Sequence, residues 1–257
     1  MTKSEKGKRM KVQYASISMA GDRSYNEDAV LTIETEGQYM FGVADGLGGH
    51  GFGEVASKTV CEAVESCFLQ PEKRLAPDFL EETFRSAQQE LCDTKQKNAY
   101  GDMMTTMVLL SIGSAIQWAH VGDSRLYYFE NGTLVTHTLD HSVPQILVYA
   151  GEITEDEIRH HPDRNRLLKA MGRPWEKDEF TLSEPISVKE KQAFLLCSDG
   201  FWEHIVEAKM QQLLNEADSV EQWLAEMAAH VKMQGHGQNM DNYSAVVVWV
   251  TQEKAEQ

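Results

Sequence analysis

Apolar residues along this chain fall into short blocks whose spacing alternates between strand and helix periods. Segments 12–19, 29–34 and 39–44 read as strands, and a Gly-rich turn after the third opens a helix over about 53–69. A second helix is expected over about 78–97. Four strand-like runs follow at 104–112, 115–121, 124–130 and 133–137, separated by turn dipeptides such as Asn131-Gly132, and they predict an antiparallel meander. Residues 140–175 are less regular, carry Pro144, Pro162 and Pro174, and predict an excursion from the sheet. Strands return at 192–198 and 244–251, with helices between them at about 206–215 and 219–233. Runs such as AFLLC and AVVVWV are apolar throughout where a half-exposed strand would alternate, so both faces of these strands must be covered. Two helix pairs far apart in sequence then predict an α+β fold, a four-layer αββα sandwich of two antiparallel sheets flanked by helix pairs.

Composition adds limits. With 42% hydrophobic and 25% charged residues and only 6 prolines in 257, the chain is an ordinary globular one with no candidate linker. A single domain over 12–250 is expected, between a basic flexible tail at 1–11 and a polar tail at 251–257. The formal charge of −16 disfavours nucleic acid and anionic membrane surfaces as partners, because the one basic cluster is that N-terminal tail. No apolar run reaches membrane-spanning length and no leader pattern follows the basic start, so a cytoplasmic location is expected. Cys61, Cys67, Cys92 and Cys197 form no Cys-x-x-Cys pair and are expected to be reduced core thiols. None has an Arg six positions on, as a thiol phosphatase would need.

The chemistry is written in the aspartates. Asp45 ends the apolar run YMFGVAD and Asp199 ends AFLLCSD, each followed by a glycine. Asp123 lies between strands in HVGDSR, Asp140 follows a strand in TLDHS, and Asp241 precedes the last strand in MDNYSAVVV. A single Asp-Gly of this kind is an ordinary turn. Five carboxylates bordering a hydrophobic sheet are expensive unless hydrogen-bonded or bound to a cation. Oxygen ligands without clustered His or Cys suit Mg²⁺ or Mn²⁺, and two such ions activate a water for in-line attack on phosphorus. Phosphate-ester hydrolysis is the chemistry this pattern predicts. Gly46, Gly48 and Gly51 also match G-x-G-x-x-G, which keeps a dinucleotide- or nucleotide-binding protein as the alternative. Against it, Asp45 would face the pyrophosphate, Glu72 ends no strand, and Glu54 stands where a Walker lysine is required.

The motifs GDRSYNED, GVADGLGGH, TTMV, HVGDSRLY, TLDHS, HPDRNRLLKAMG, LLCSDGFWE and DNYSAVVV, in this order across residues 12–250, resemble those of the type 2C metal-dependent protein phosphatases in their bacterial form. The resemblance implies a protein Ser/Thr phosphatase with phosphoprotein substrates, including a bacterial Ser/Thr kinase or its targets, and a monomer is expected. It implies that Asp45 bridges two Mn²⁺ or Mg²⁺ ions, with Asp199 and Asp241 on one and the Gly46 carbonyl on the other. It further implies that Glu27 and Asp28 hold the second ion's water shell, Arg23 binds the substrate phosphate, and Asn242 supports the site. Asp123 would contribute to a third, weakly bound ion, which Glu203, four residues beyond Asp199, would join if the following loop folds back. Residues 140–175 would be a mobile flap. Two positions depart from the family pattern: Met104 stands where Gly is usual, and Leu47 stands where some members place a His as general acid, leaving His50 as the candidate for that role. The same fold as a catalytically silent phosphoprotein-binding module is a further alternative, and retention of the carboxylates argues for activity.

Overall fold

The computed structural model describes residues 8–48, 52–98 and 101–254. The chain opens on β1 (Lys8–Met19) and the hairpin of β2 (Asp28–Thr35) and β3 (Gln38–Leu47). Helices α1 (Phe52–Phe68), α2 (Pro71–Arg74) and α3 (Phe79–Asn98) follow. Strands β4 (Met104–Thr105), β5 (Met107–Ile112) and β6 (Ile116–Val121) lead to β7 (Arg125–Glu130) and β8 (Thr133–His137). The excursion holds α4 (Val143–Tyr149) and a short 3-10 helix, Glu155–His160. The rest is β9 (Thr181–Leu182), β10 (Lys191–Cys197), α5 (Asp199–Trp202), α6 (Glu207–Glu216), α7 (Val220–Gly235) and β11 (Tyr243–Lys254).

One sheet has the order β1-β11-β10-β7-β8 and the other β2-β3-β5-β6-β9, with all these pairings antiparallel. Three apolar layers hold them. Phe41, Val43, Val108, Phe194, Leu196, Val246 and Val248 fill the space between the sheets. The intervening residues Leu195, Ala245 and Val247 face Met210 and Leu213 of α6 and Trp223 and Met227 of α7, and α1 and α3 cover the other sheet through Val60, Val64, Phe84 and Leu91. The unbroken apolar runs are thus explained by burial on both faces, and the αββα sandwich is the one expected. Among the described residues, no helix is long and apolar enough to cross a membrane.

Three expectations need correction. The four runs at 104–137 are not one meander: β5–β6 belongs to the second sheet and β7–β8 to the first, so the chain changes sheet at 122–124. The crossing is made at Gly122, whose φ is 97° and whose missing side chain lets it lie against Thr106, where a Cβ would come within 2.6 Å of the threonine methyl. The run 104–112 is also interrupted between β4 and β5, because the Thr106 N–H turns to the Asp45 carbonyl at 2.9 Å. Finally, β1 pairs with β11 from Lys8↔Lys254 onward, so residues 8–11 and 251–254 belong to paired strands.

Candidate active site

The β2–β3 register sets Asp28 directly opposite Asp45 at one end of the sandwich. Here a cleft of about 980 Å³ is lined by Arg23, Glu27, Asp45, Gly46, Asp123, Asp199, Asp241 and Asn242, among others. The pair Thr105-Thr106 holds Asp45 by its backbone. Thr106 Oγ1 accepts the Asp45 N–H at 3.0 Å, and Thr105 Oγ1 donates to the Asp45 carbonyl at 2.8 Å. Thr106 Oγ1 also meets Ser124 Oγ at 2.6 Å, tying the strand bearing Asp45 to the turn bearing Asp123. Close approach requires glycine at Gly46, where a Cβ would sit 2.1 Å from the Gly53 carbonyl oxygen, and at Gly200, where it would sit 2.1 Å from that of Asn242. Asp199 opens α5, accepting the Gly200 N–H on Oδ1.

Asn242 fastens the N-terminal segment to this end. Its Nδ2 donates to the carbonyls of Ala20 (2.9 Å) and Tyr25 (2.8 Å), and its Oδ1 accepts from the Glu27 N–H at 2.8 Å. It therefore fixes the loop carrying Arg23 and Glu27. Arg23 donates to Asp241 Oδ2 at 2.9 Å in an exposed pair.

The charges do not balance. Asp45 and Asp199 approach within hydrogen-bonding reach, and burial, then Asp199, Asp28 and Asp123, drive the Asp45 pKa well above its ordinary value. Asp123 and Asp199 are raised too, by burial first and then by neighbouring aspartates. Asp28 is pushed up to about 7 by burial, which outweighs the Ser198 hydroxyl that favours its charge. One of its oxygens accepts from Ser198 at 2.8 Å and the other has no hydrogen-bond partner. Among the described residues, Arg23 is the one cationic side chain lining this cleft. As the side chains stand, no three described acidic, His or Cys residues already form a metal-holding group. Asp241 is turned to Arg23, and Asp45 to Asp199. The donor set is nevertheless all oxygen, and the unpartnered Asp28 oxygen beside mutually repelling carboxylates is the environment a hard divalent cation relieves.

Several sequence expectations are redirected here. Asp140 is not part of the cluster: both its oxygens accept from Arg125 at 2.8 Å in a buried pair, whose guanidinium lies 3.5 Å over the Trp202 ring. Glu203 and Asp123 line adjoining recesses that have Asp199 and Asp241 in common. Arg164 donates to Glu203 Oε1 at 2.8 Å. Burial raises the Glu203 pKa to about 7. The Gly46 turn is no dinucleotide cradle, since β3 pairs antiparallel on both sides and the Gly46 N–H is taken by the Glu27 carbonyl at 3.1 Å. His50 and Gly51 lie outside the described residues. Met104 needs no left-handed backbone; it is a β4 residue paired with Leu47, and its sulfur accepts from Arg173 Nε at 3.1 Å. Cys61, Cys67 and Cys197 are buried free thiols, with the Cys61 pKa pushed up to about 12, and none lines the cleft. Sequence reasoning gave no role to Glu54, Asn165 or Leu167, which also line it. Nor did it see that the threonines of TTMV grip Asp45.

A family model described as Protein phosphatase 2C matches residues 18–245 of this chain. The Serine/threonine phosphatase stp of Listeria welshimeri is 32% identical over 207 residues, spanning 77% of this chain and 81% of that protein. Among solved structures, the serine/threonine phosphatase Stp1 from Staphylococcus aureus matches with a TM-score of 0.81 at 27% identity, covering 96% of each chain. The catalytic domain of PstP, solved in complex with two manganese ions, matches with a TM-score of 0.79 at 26% identity, covering 95% of this chain and 100% of that one. With the family model spanning most of its length, the chain belongs to the protein phosphatase 2C family.

Proposed function

We propose that this protein is a metal-dependent serine/threonine phosphatase that hydrolyses phosphoserine and phosphothreonine in proteins. The observation that carries the reading is the buried group Asp28, Asp45, Asp123 and Asp199, neighbouring carboxylates whose pKa values are raised by burial and by one another; among the described residues lining the cleft that Asp45, Asp123 and Asp199 share, Arg23 is the one cation. The names of its relatives and the two manganese ions in PstP support it. Asp45, Asp199, Asp241 and the Gly46 carbonyl would hold two Mn²⁺ or Mg²⁺ ions, with Glu27 and Asp28 ordering water around them. When bound, such ions neutralise the carboxylates, supply Lewis acidity and provide the nucleophilic water.

The chain's own groups set the geometry. Arg23 presents a planar guanidinium that binds two phosphate oxygens in parallel. Its present hold on Asp241 keeps it at the cleft mouth, so substrate phosphate exchanges one anionic partner for another. Asn242 keeps the Arg23 loop from shifting relative to the carboxylates. The partner class that fits is a bacterial Ser/Thr kinase or its substrates, the setting is the cytoplasm, and the working form is a monomer. Hydrolysis of p-nitrophenyl phosphate and of a phosphothreonine peptide, with and without Mn²⁺, tests the proposal. Activity should require the cation and vanish on chelation, and full activity in a chelator-treated preparation would overturn it.

A further inference from the structure

The turn that delivers Asp123 to the cleft has a second attachment. The Gly122 N–H donates to His141 Nδ1 at 3.2 Å, and the His141 N–H donates back to the Gly122 carbonyl at 2.9 Å. Because Nδ1 accepts, the neutral ring carries its proton on Nε2, which donates to Thr181 Oγ1 at 2.9 Å. Burial, then the neighbouring His120, hold the His141 pKa down to about 3, so the ring is neutral at working pH. The ring lies flat against His120, with centroids 4.7 Å apart and planes 3° from parallel, and His120 Nε2 is in turn anchored at the Leu139 carbonyl, 2.8 Å away. His141 also reaches the far side of the cleft. Its carbonyl accepts the Leu168 N–H at 2.8 Å, and the next residue, Ser142, bridges to Leu167 in the cleft wall.

A glycine at φ 97° does not enforce its own conformation, so the direction in which Asp123 points depends on what grips the turn. Thr106 and Ser124 grip it on one side, Trp202 Nε1 donates to the Asp123 carbonyl at 3.0 Å, and His141 supplies the acceptor for the Gly122 N–H. We propose that His141 is a positioning residue for the phosphatase reaction: its neutral ring, held by His120 and Thr181, fixes the Gly122 turn and through it the Asp123 carboxylate. The proposal rests on the reading that Asp123 works in the cleft.

Two substitutions separate the ring's contacts. In His141→Asn the amide oxygen takes the place of Nδ1 and still accepts from Gly122. In His141→Gln the amide reaches the Nε2 position and keeps only Thr181. We expect His141→Gln to lower kcat on a phosphopeptide about tenfold, short of the hundredfold that a 1 Å misplacement can cost, with KM little changed. His141→Asn should recover most of that loss at a similar melting temperature. In an Asp123→Asn background, His141→Gln should add nothing further, because it acts through the same carboxylate. Equal rates for the two His141 variants, losses that track melting temperature, or additive losses would overturn the positioning role. If His141→Gln does not fold, Thr181→Val, which releases Nε2, must lower kcat in the same direction, and an unchanged kcat there would overturn it as well. An Asp123→Asn enzyme with full activity would instead remove Asp123 from the cleft chemistry. A slow Asp123→Asn beside a His141→Gln of wild-type rate would defeat the His141 proposal alone.

Discussion

Asp28 and Asp140 are equally hidden, 6% and 5% exposed, but their surroundings are opposite. Asp140 meets a bidentate arginine, so two buried charges cancel inside the fold and form a rigid pair under Trp202. Asp28 meets a serine hydroxyl on one oxygen and nothing on the other, and its charged neighbours are Asp199 and Asp241. A buried carboxylate that brings its own arginine is part of the scaffold. A buried carboxylate among other carboxylates is incomplete until a cation arrives, and the fold tolerates that cost because function requires it.

The largest effect that would sharpen this contrast is on turnover. Asp45→Asn and Asp199→Asn should each abolish phosphopeptide hydrolysis, while the metal-free melting temperature holds or rises, because each removes a repelling charge at nearly constant volume. Near-normal rates in both would dissolve the cluster as a catalytic unit. Asp140→Asn should do the reverse. It strands Arg125 without its counter-charge and should cost about 3–5 kcal/mol of stability, with near-normal kcat per folded molecule.

A smaller effect lies in pH. Raised carboxyl pKa values mean that the native state binds protons more tightly than the unfolded chain, so stability is fully present below the ordinary carboxyl pKa and is lost as pH rises through the folded value, about 7 for Asp28. The metal-free protein should therefore melt at a lower temperature at alkaline pH than at about pH 5, and Mn²⁺ should erase most of that difference. A metal-free melting temperature that climbs with pH over this window would contradict the assignment. The smallest effect belongs to the exposed Arg23, where Arg23→Ala should raise KM about tenfold, the scale of one charge-assisted hydrogen bond, and lower kcat less. An unchanged KM would take Arg23 off the phosphate.

Much of this contrast was legible before any coordinates, and the part that was not has a physical cause. Asp45 and Asp199 stand out because an apolar run ending in a carboxylate is a local pattern. The helices α1 and α3 fall within a residue or two of their expected bounds because their apolar stripes are long and periodic. The fate of Asp140 was not local, although a clue existed: Arg125 opens the buried strand RLYYFE, and a lone buried cation needs an acid partner. The pairs Arg164 with Glu203 and Arg23 with Asp241 join residues distant in sequence and leave no periodic trace. The change of sheet at Gly122 was hidden for a related reason. Its turn residues look like any hairpin, and only the packing of Gly122 against Thr106 shows that the chain leaves one sheet for the other.

Divalent cations complete the carboxylate cluster, whereas the Asp140–Arg125 pair is complete already. Titration calorimetry of the metal-free protein with Mn²⁺ near pH 7, repeated in buffers of different ionisation enthalpy, tests this most directly. Saturable binding of two ions with net proton release is expected, since carboxyls such as Asp28, with a pKa of about 7, are still partly protonated there. The tight binding should be lost in Asp45→Asn. Absence of saturable binding, or binding in Asp45→Asn indistinguishable from that of the unmodified protein, would contradict it.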